Sequence, residues 1–323
     1  MRTLHIANGH QTTSLIARAG IGGETLVWAD PLHDGPVPGG IADPDLLAIR
    51  ARHLAAGEPI EAVLHELRAR SDALDERAKD DDLVLWFEHD LFDQLNLLQV
   101  LDHLGPGSST STTIVSIREW PGKPSFKGLG ELTPQDIAWL YERRQPVPSS
   151  AFELASRAWR AFRSAHPRDI EVLLATDTKA LPFLADALRR HLQEFPSTHS
   201  GLSRSGTRLL KQLDRGSIEI WTAFTTMWDG ETAFYIADTS FWDLVRELAD
   251  ADPPLLTVER REGTSGTLPK GRLMLTLKGR AVLEGTADRI HLCGIDRWRG
   301  GVHLAGRGPQ WRWNPDTGCL VRV

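Results

Sequence analysis

Cysteine is nearly absent from this chain. Cys293 and Cys319 are the only two in 323 residues, they lie too far apart for a C-x-x-C pair, and nothing around them has zinc-finger spacing. A disulfide framework is thereby excluded, and a reducing, cytoplasmic setting is expected. Long apolar runs are missing too: no stretch approaches the roughly 18 residues of a membrane-crossing helix, so no membrane partner is expected. The opening MRTLHIANGH turns polar by Asn8, so a signal peptide is not expected. The usual cofactor and nucleophile signatures are lacking as well. No G-x-G-x-x-G follows the first strand, which disfavours a dinucleotide site, and there is neither a P-loop nor a G-x-S-x-G elbow.

What is present reads as a folded protein of several domains. The length suffices for two or three cores, and 41% apolar with 25% charged residues is too hydrophobic a mix for a disordered chain. Charge is unevenly spread. Residues 200–285 hold 11 Lys/Arg against 12 Asp/Glu and residues 286–323 hold 6 against 3, so from the total of −6 the first 199 residues carry −8. A broad grip on phosphate backbones by that acidic part is disfavoured; a small ligand or a metal ion is not.

Apolar periodicity predicts strands at 3–7, 24–29, 83–87 and 112–117. Between them it predicts a helix capped by Thr12 or Thr13, helices at 44–56 and 59–78, and a helix at 91–104. Asp80-Asp81-Asp82 and the loop GPGSSTS break the pattern. Alternation of this kind argues a Rossmann-like, mostly parallel sheet with helices on its faces, here over residues 1–120. The Pro- and Gly-rich stretch 118–131 reads as a boundary. A helical region is expected over 130–199, with Thr133-Pro134 opening one helix, Ala155, Ala158, Trp159 and Phe162 lining a second, and Leu184, Leu188 and Leu192 a third. Over 200–323, helices near 203–214, 217–228 and 239–250 precede strands at 255–260 and 272–277. Three helices and a β-ribbon suggest a winged-helix-like α+β domain, followed by a tail of short strands.

Three polar groups each follow a predicted parallel strand. Asn8 and His10 follow the first; Asp30, His33, Asp34 and Gly35 the second; Glu88, His89, Asp90, Asp93 and Gln94 the third. Ligands of open α/β sheets bind outside the carboxyl ends of the strands, so these loops are expected to converge. Asp30, His33, Glu88, His89 and Asp90 form the expected catalytic core, with His33 or His89 as the acid–base group and the carboxylates orienting it or holding a divalent metal. Asn8, His10, Asp34, Gly35, Asp93 and Gln94 are the expected ligand-binding set. Each has a plainer reading: Asp30 and Asp34 suit a Pro/Gly turn, Asp90 a helix N-cap, Asp93 the first-turn dipole, and His5 packing.

The expected third helix of the winged unit carries Asp243, Glu247 and Asp250 against Arg246. Flanking phosphates would repel it, so a protein-contact role is favoured over DNA, although Arg260, Arg261, Lys270 and Arg272 on the ribbon could reach a duplex. In the tail, Arg297, Trp298, Arg299, His303, Trp311 and Trp313 interleave cations with rings. Such a pattern can stack bases and more often makes a small β-core with snorkelling arginines.

The strings LHIANG, VWADPLHDGPVP and LVLWFEHDLFDQ resemble the N-terminal signature of an uncharacterised bacterial family, domain of unknown function 1835 (DUF1835). The resemblance is strongest over residues 1–120. The later strings LRRHLQEFPST-x-x-GLSR, LTLKGRAVLEG and IDRWRGGVHL resemble the C-terminal part of longer members. The Asp30-x-Leu32-x-x-Gly35-Pro36 pattern and the His89-Asp90 pair fit the family; His10 stands where members often carry an acid, so an imidazole replaces that acid here or its step is lost. The family implies no particular activity. The expected function is a small-molecule or metal-dependent site at the strand ends, of hydrolase or transferase type. The alternatives are a ligand-sensing regulator whose C-terminal domain binds a protein or DNA, and a pure interaction protein.

Overall fold

A computed structural model describes residues 2–77, 82–105 and 111–323. The expected break at Asp80-Asp81 and most of the 105–111 loop lie outside the described residues. The first strands and helices run β1 (Thr3–Ala7), α1 (His10–Arg18), β2 (Glu24–Val27), α2 (Asp43–Leu54), α3 (Ile60–Arg77), β3 (Asp82–Trp86), α4 (Leu91–Leu104) and β4 (Thr112–Val115). They continue with α5 (Pro134–Glu142), β5 (Gln145–Pro146), α6 (Ser149–Arg163), α7 (Arg168–Leu174) and α8 (Leu184–Leu192). The sheet order is β2-β1-β3-β4-β5; the first four strands are parallel and β5 is antiparallel to β4.

β3 is the central strand, and its Leu83, Val84, Leu85 and Trp86 are all buried, as a parallel strand covered on both faces requires. Leu15 and Ile16 of α1 and Ile137 and Leu140 of α5 pack with Val84, Trp86, Phe126 and Leu129 in one core cluster. α4 is buried along nearly its whole length and packs on α6.

Helix starts follow local chemistry. Thr133 Oγ1 accepts the Asp136 N–H at 3.2 Å while the Asp136 carboxylate accepts the Thr133 N–H at 2.9 Å, a capping box with Pro134 just inside it. α1 differs from expectation: it begins at His10, with Gly9 before it and no side-chain cap. Thr12 is drawn away instead, its hydroxyl donating to Asn8 Oδ1 at 2.9 Å.

Two compact units divide the chain. Unit 1 comprises residues 1–187 with 300–302, and unit 2 residues 188–299 with 303–323. The division falls within α8, whereas the sequence suggested a boundary at 118–131. That stretch instead belongs to the core of unit 1, because Phe126 and Leu129 cover the sheet beside Trp86. The helical middle likewise lies largely in unit 1.

Unit 2 continues as α9 (Arg204–Leu213), β6 (Ile218–Glu219), α10 (Ile220–Thr226), α11 (Asp238–Ala249), β7 (Leu256–Ser265) and β8 (Leu268–Leu275). It ends with α12 (Leu277–Leu283), α13 (Arg289–Cys293), β9 (Ile295–Arg299), β10 (Val302–Gly306), β11 (Trp311–Asn314) and β12 (Cys319–Arg322). Its sheets are small: β6-β8-β7 is antiparallel, and β9 with β10 and β11 with β12 make two-stranded pairs. Among the described residues no helix is long and apolar enough to cross a membrane.

Candidate functional site

β1 and β3 are neighbours, yet the chain leaves them toward opposite edges of the sheet, to β2 and to β4. Loops diverge where strand order reverses in this way, and the crevice between them is where open α/β sheets bind ligands. Asn8 is the first residue after β1 and Glu88 the second after β3, so both stand at this reversal. Asp93, in the first turn of α4, completes the cluster.

The hydrogen bonds there are dense. Asn8 Nδ2 donates to both carboxylate oxygens of Asp93 at 3.0 Å, and the Thr12 hydroxyl on Oδ1 fixes which way that amide points. The Glu88 N–H donates to Asp93 Oδ2 at 2.5 Å, and Gln94 Nε2 donates to the Glu88 carbonyl at 2.6 Å. Asp90 caps α4, accepting the Asp93 N–H at 2.9 Å, in line with its plainer reading. Asp93 does more than serve the helix dipole: it ties the β1 loop to the β3 loop.

The Glu88 side chain reaches a segment the sequence did not flag. Its Oε1 accepts the Leu129 N–H, and a Cβ at Gly128 would collide with its carboxylate, so only glycine admits this approach. The Gln11 amide donates to the Gly130 carbonyl at 2.6 Å and holds the same segment to α1.

Burial, with Asp90 nearby, pushes the Glu88 carboxyl up to about 8, against the opposing pull of the Leu129 N–H and Asn8. Asp93 is also raised, by its complete burial and then by Glu88 and Asp90. Among the described residues neither carboxyl has an ion-pair partner. Two such groups in a buried site resist ionising together. N–H donors on both carboxyls oppose this rise without overcoming burial.

The second loop is organised by a residue outside the predicted set. Arg50 of α2 is fully buried and grips Asp30 with two bonds, Nη2 to Oδ1 at 2.5 Å and Nε to Oδ2 at 3.2 Å. It also donates to the Asp34 carbonyl at 2.7 Å. Asp30 is thus held in a buried ion pair with Arg50. Asn96 of α4 adds to the hold, exchanging bonds of 3.0 and 2.9 Å with the backbone of Asp30. Asp34 accepts the Gly35 N–H at 3.0 Å. Gly35 has φ +74°, and a Cβ there would strike the His53 ring, so its glycine serves a turn and a tight contact. His33 is buried with its ring edge-on to Phe92.

His89 is buried, its Nδ1 lies 3.3 Å from the Ile117 carbonyl, and its ring meets Phe183 edge-on. Burial lowers its pKa and Arg118 adds to this, so the ring is neutral near neutral pH. His10 is exposed at the start of α1, outside the buried cluster, because the helix begins there and turns it to solvent. His5 fits its packing reading: its Nδ1 accepts the Trp86 indole N–H at 3.2 Å and its Nε2 faces the Gly22 carbonyl at 3.1 Å.

The structure therefore joins Asn8, Glu88, Asp90, Asp93 and Gln94, and builds Asp30, Asp34 and Gly35 around Arg50. Arg50 left one signal in the sequence: it falls four residues after Leu46, on the apolar stripe of α2. Among the described residues no three His, Cys, Asp or Glu side chains are grouped to hold a metal ion. A cavity of about 390 Å³ elsewhere in unit 1, walled by Trp28, Trp159 and the aspartates 43, 72, 75 and 102, contains none of the predicted site residues. No protein-family model matches the chain, and no curated protein matches it.

Proposed function

We propose that unit 1 binds and acts on a small molecule at the β1/β3 crevice, with Glu88 as the proton-carrying group. One observation carries this reading: a carboxyl raised to about 8 stands with Asn8 and Asp93 at the point where the strand order reverses. A group titrating near the working pH is the most effective general acid or base, and perturbed carboxyls in such places mark functional sites. At pH 7 Glu88 holds its proton and can give it to a leaving group, as hydrolysis or group transfer needs. Asn8 and Asp93 position it, and the neutral His89 is the nearest imidazole in sequence that can accept a proton. This reading moves the acid–base role from histidine to Glu88. We further propose that the first 120 residues are a DUF1835-like domain; the strings that carry that resemblance supply Asn8, the Asp30–Pro36 loop and Glu88 to Gln94.

A thermal-shift screen of metabolites, nucleotides and divalent metals on the wild type and Glu88→Gln tests it. A ligand at ~100 times its dissociation constant adds ~2.7 kcal/mol of apparent stability. The expected hit changes affinity between pH 6 and 9 in the wild type and loses that dependence in Glu88→Gln. A hit indifferent to both pH and substitution would overturn the assignment.

A second reading concerns unit 2. We read its order α9-β6-α10-α11-β7-β8, with strands arranged β6-β8-β7, as winged-helix-like, and propose a contact module. Duplex DNA is the weaker partner. Arg246 of α11 is paired to Asp243, and Arg261 and Arg272 of the ribbon are paired to Glu219 at 3.5 and 2.8 Å. These pairs offset part of the ribbon's charge, and with Asp243, Glu247 and Asp250 on α11 they favour a protein partner. Duplex binding that weakens steeply with salt would reverse that preference.

A further inference from the structure

Unit 2 contains a cleft of about 1170 Å³ that none of the preceding readings uses. One wall is cationic: Arg204, Arg208, Lys211 and Arg215 line it, spaced four, three and four residues apart. That spacing puts them in a row along one face of α9 and the turn after it, over about 16 Å of helix. The aromatic ring of Trp313 and the hydroxyl-bearing Ser197, Thr207 and Ser217 also line the cleft.

The row has a fixed end and an uncommitted end. Buried Glu231 takes Arg204 at 2.9 Å and Arg208 at 3.4 Å, which holds both guanidinium groups in place. Lys211 and Arg215 are exposed, and among the described residues neither has a carboxylate partner within 4.0 Å. The acids of the lining are Asp229 and Glu284, so cations outnumber anions on the walls. Gln212 adds an acceptor: its Oε1 is buried with no protein donor, and the residue lines the same cleft.

We infer that this cleft binds nucleotides in a short single strand of nucleic acid, with phosphates along the α9 row and a base against Trp313. Cations tracking a backbone beside an aromatic platform are the general means of holding single strands. A concave cleft admits a strand and not a duplex, whose grooves need a protruding element. The same phosphate-and-base chemistry occurs in a free mononucleotide, which would use one end of the row. The inference uses different residues from α11 and the β7–β8 ribbon and does not depend on the unit 1 crevice.

The test is fluorescence anisotropy of a labelled mixed-sequence 12-nucleotide strand with the full chain at 50 and 200 mM salt. A duplex of the same sequence and unlabelled ATP serve as competitors. The expected result is strand binding that falls with salt and is displaced weakly by the duplex. In the Lys211→Gln, Arg215→Gln double variant the slope of log affinity against log salt should shrink by about 1.4, at ~0.7 per phosphate contact for single strands. Trp313→Ala should weaken binding about tenfold. Its backbone bonds to Pro196 and Thr198 stay available, and a melting curve checks the fold. If Trp313→Ala does not fold, the double variant decides, because its side chains are exposed and make no ion pair. ATP displacing the strand at micromolar concentration would assign the cleft to free nucleotides and overturn the single-strand form. No strand binding at 50 mM salt, or binding unchanged in the double variant, would overturn the inference outright. Preferential duplex binding would also overturn it and would instead revive DNA contact through α11 and the ribbon.

Discussion

Each unit buries carboxylates, and the two sets behave in opposite ways. In unit 1, Glu88 and Asp93 face each other with amide donors and, among the described residues, no ion-pair partner, and Glu88 is pushed up to about 8. In unit 2, burial also pushes Glu194 up, but Arg190 beside it, helped by Arg299 and Ser205, overrides that and takes it down to about 2. Arg190 sits between Glu194 at 2.5 Å and Glu231 at 3.1 Å. Burial alone does not set ionisation; the presence of a counter-charge does. The compensated cluster is scaffold. The uncompensated one keeps a proton near neutral pH, which costs stability and suits chemistry.

Removing the compensation should have the largest effect. Arg190→Met leaves Glu194 and Glu231 buried without their central cation. Breaking a buried pair from one side costs about 3 to 5 kcal/mol, so a urea midpoint should drop steeply or unit 2 should fail to fold. Among the described residues Glu88 makes no ion pair, so no single cation removal in unit 1 should alter its titration as strongly. A loss under 1 kcal/mol for Arg190→Met would mean the network contributes little.

The pH dependence should separate the two clusters next. Glu88 has a raised folded pKa, so its contribution is fully present below about 4.5 and is lost as pH rises through about 8. Glu194 has a depressed one, so its contribution is present above about 4.5 and is lost as pH falls through about 2. At ~1.36 kcal/mol per pKa unit, each limb amounts to a few kcal/mol. Glu88→Gln keeps an acceptor for the Leu129 N–H and cannot ionise. It should flatten the alkaline limb, leave the acid limb alone, and exceed the wild type in stability at pH 9. Urea midpoints across pH 3 to 9 measure both limbs, and an unchanged alkaline limb in Glu88→Gln would remove Glu88 as its source.

Much of this contrast was legible in the sequence, unevenly. Continuous apolar runs gave away β3 and α4, and strand alternation predicted the loops that bring Asn8 and Glu88 together. Thr133-Pro134 and Asp90 announced their caps. What escaped was long-range pairing. Arg50 lies 20 residues from Asp30 and Leu129 lies 41 from Glu88, and no local period encodes either. The Pro- and Gly-rich stretch around Gly128 looked like a linker because the same residues that make turns also permit close approach to a buried carboxylate. The α9 row at 204, 208, 211 and 215 was readable by spacing alone; its cleft was not, since its other walls come from residues near 283 and 313.

A smaller effect tests the geometry of the unit 1 cluster without touching charge. Gly128→Ala puts a methyl group where the Glu88 carboxylate lies. Overpacking of this kind costs about 1 to 3 kcal/mol. In a Glu88→Ala background the space opens and the penalty should largely vanish, a coupling that a double-mutant cycle reads directly. Equal penalties in both backgrounds would place the clash elsewhere.

The smallest effect sharpens the unit 2 side. The Ser205 hydroxyl donates to Glu194 Oε1 at 2.7 Å and accepts from Arg190 Nη2 at 3.1 Å, while its backbone N–H also donates to that carboxylate at 3.2 Å. Ser205→Ala removes the hydroxyl's bonds and keeps the backbone one. Hydrogen bonds to charged groups contribute about 1.5 to 3 kcal/mol, and the surviving backbone donor should hold the loss to the lower end. One donor fewer on the Glu194 anion also raises its pKa, so the acid limb should begin at higher pH than in the wild type while the alkaline limb from Glu88 stays in place. An acid limb that does not move, with stability otherwise reduced, would show that Arg190 and Arg299 alone hold Glu194 ionised. The hydroxyl would then serve only to seat the Arg190 guanidinium.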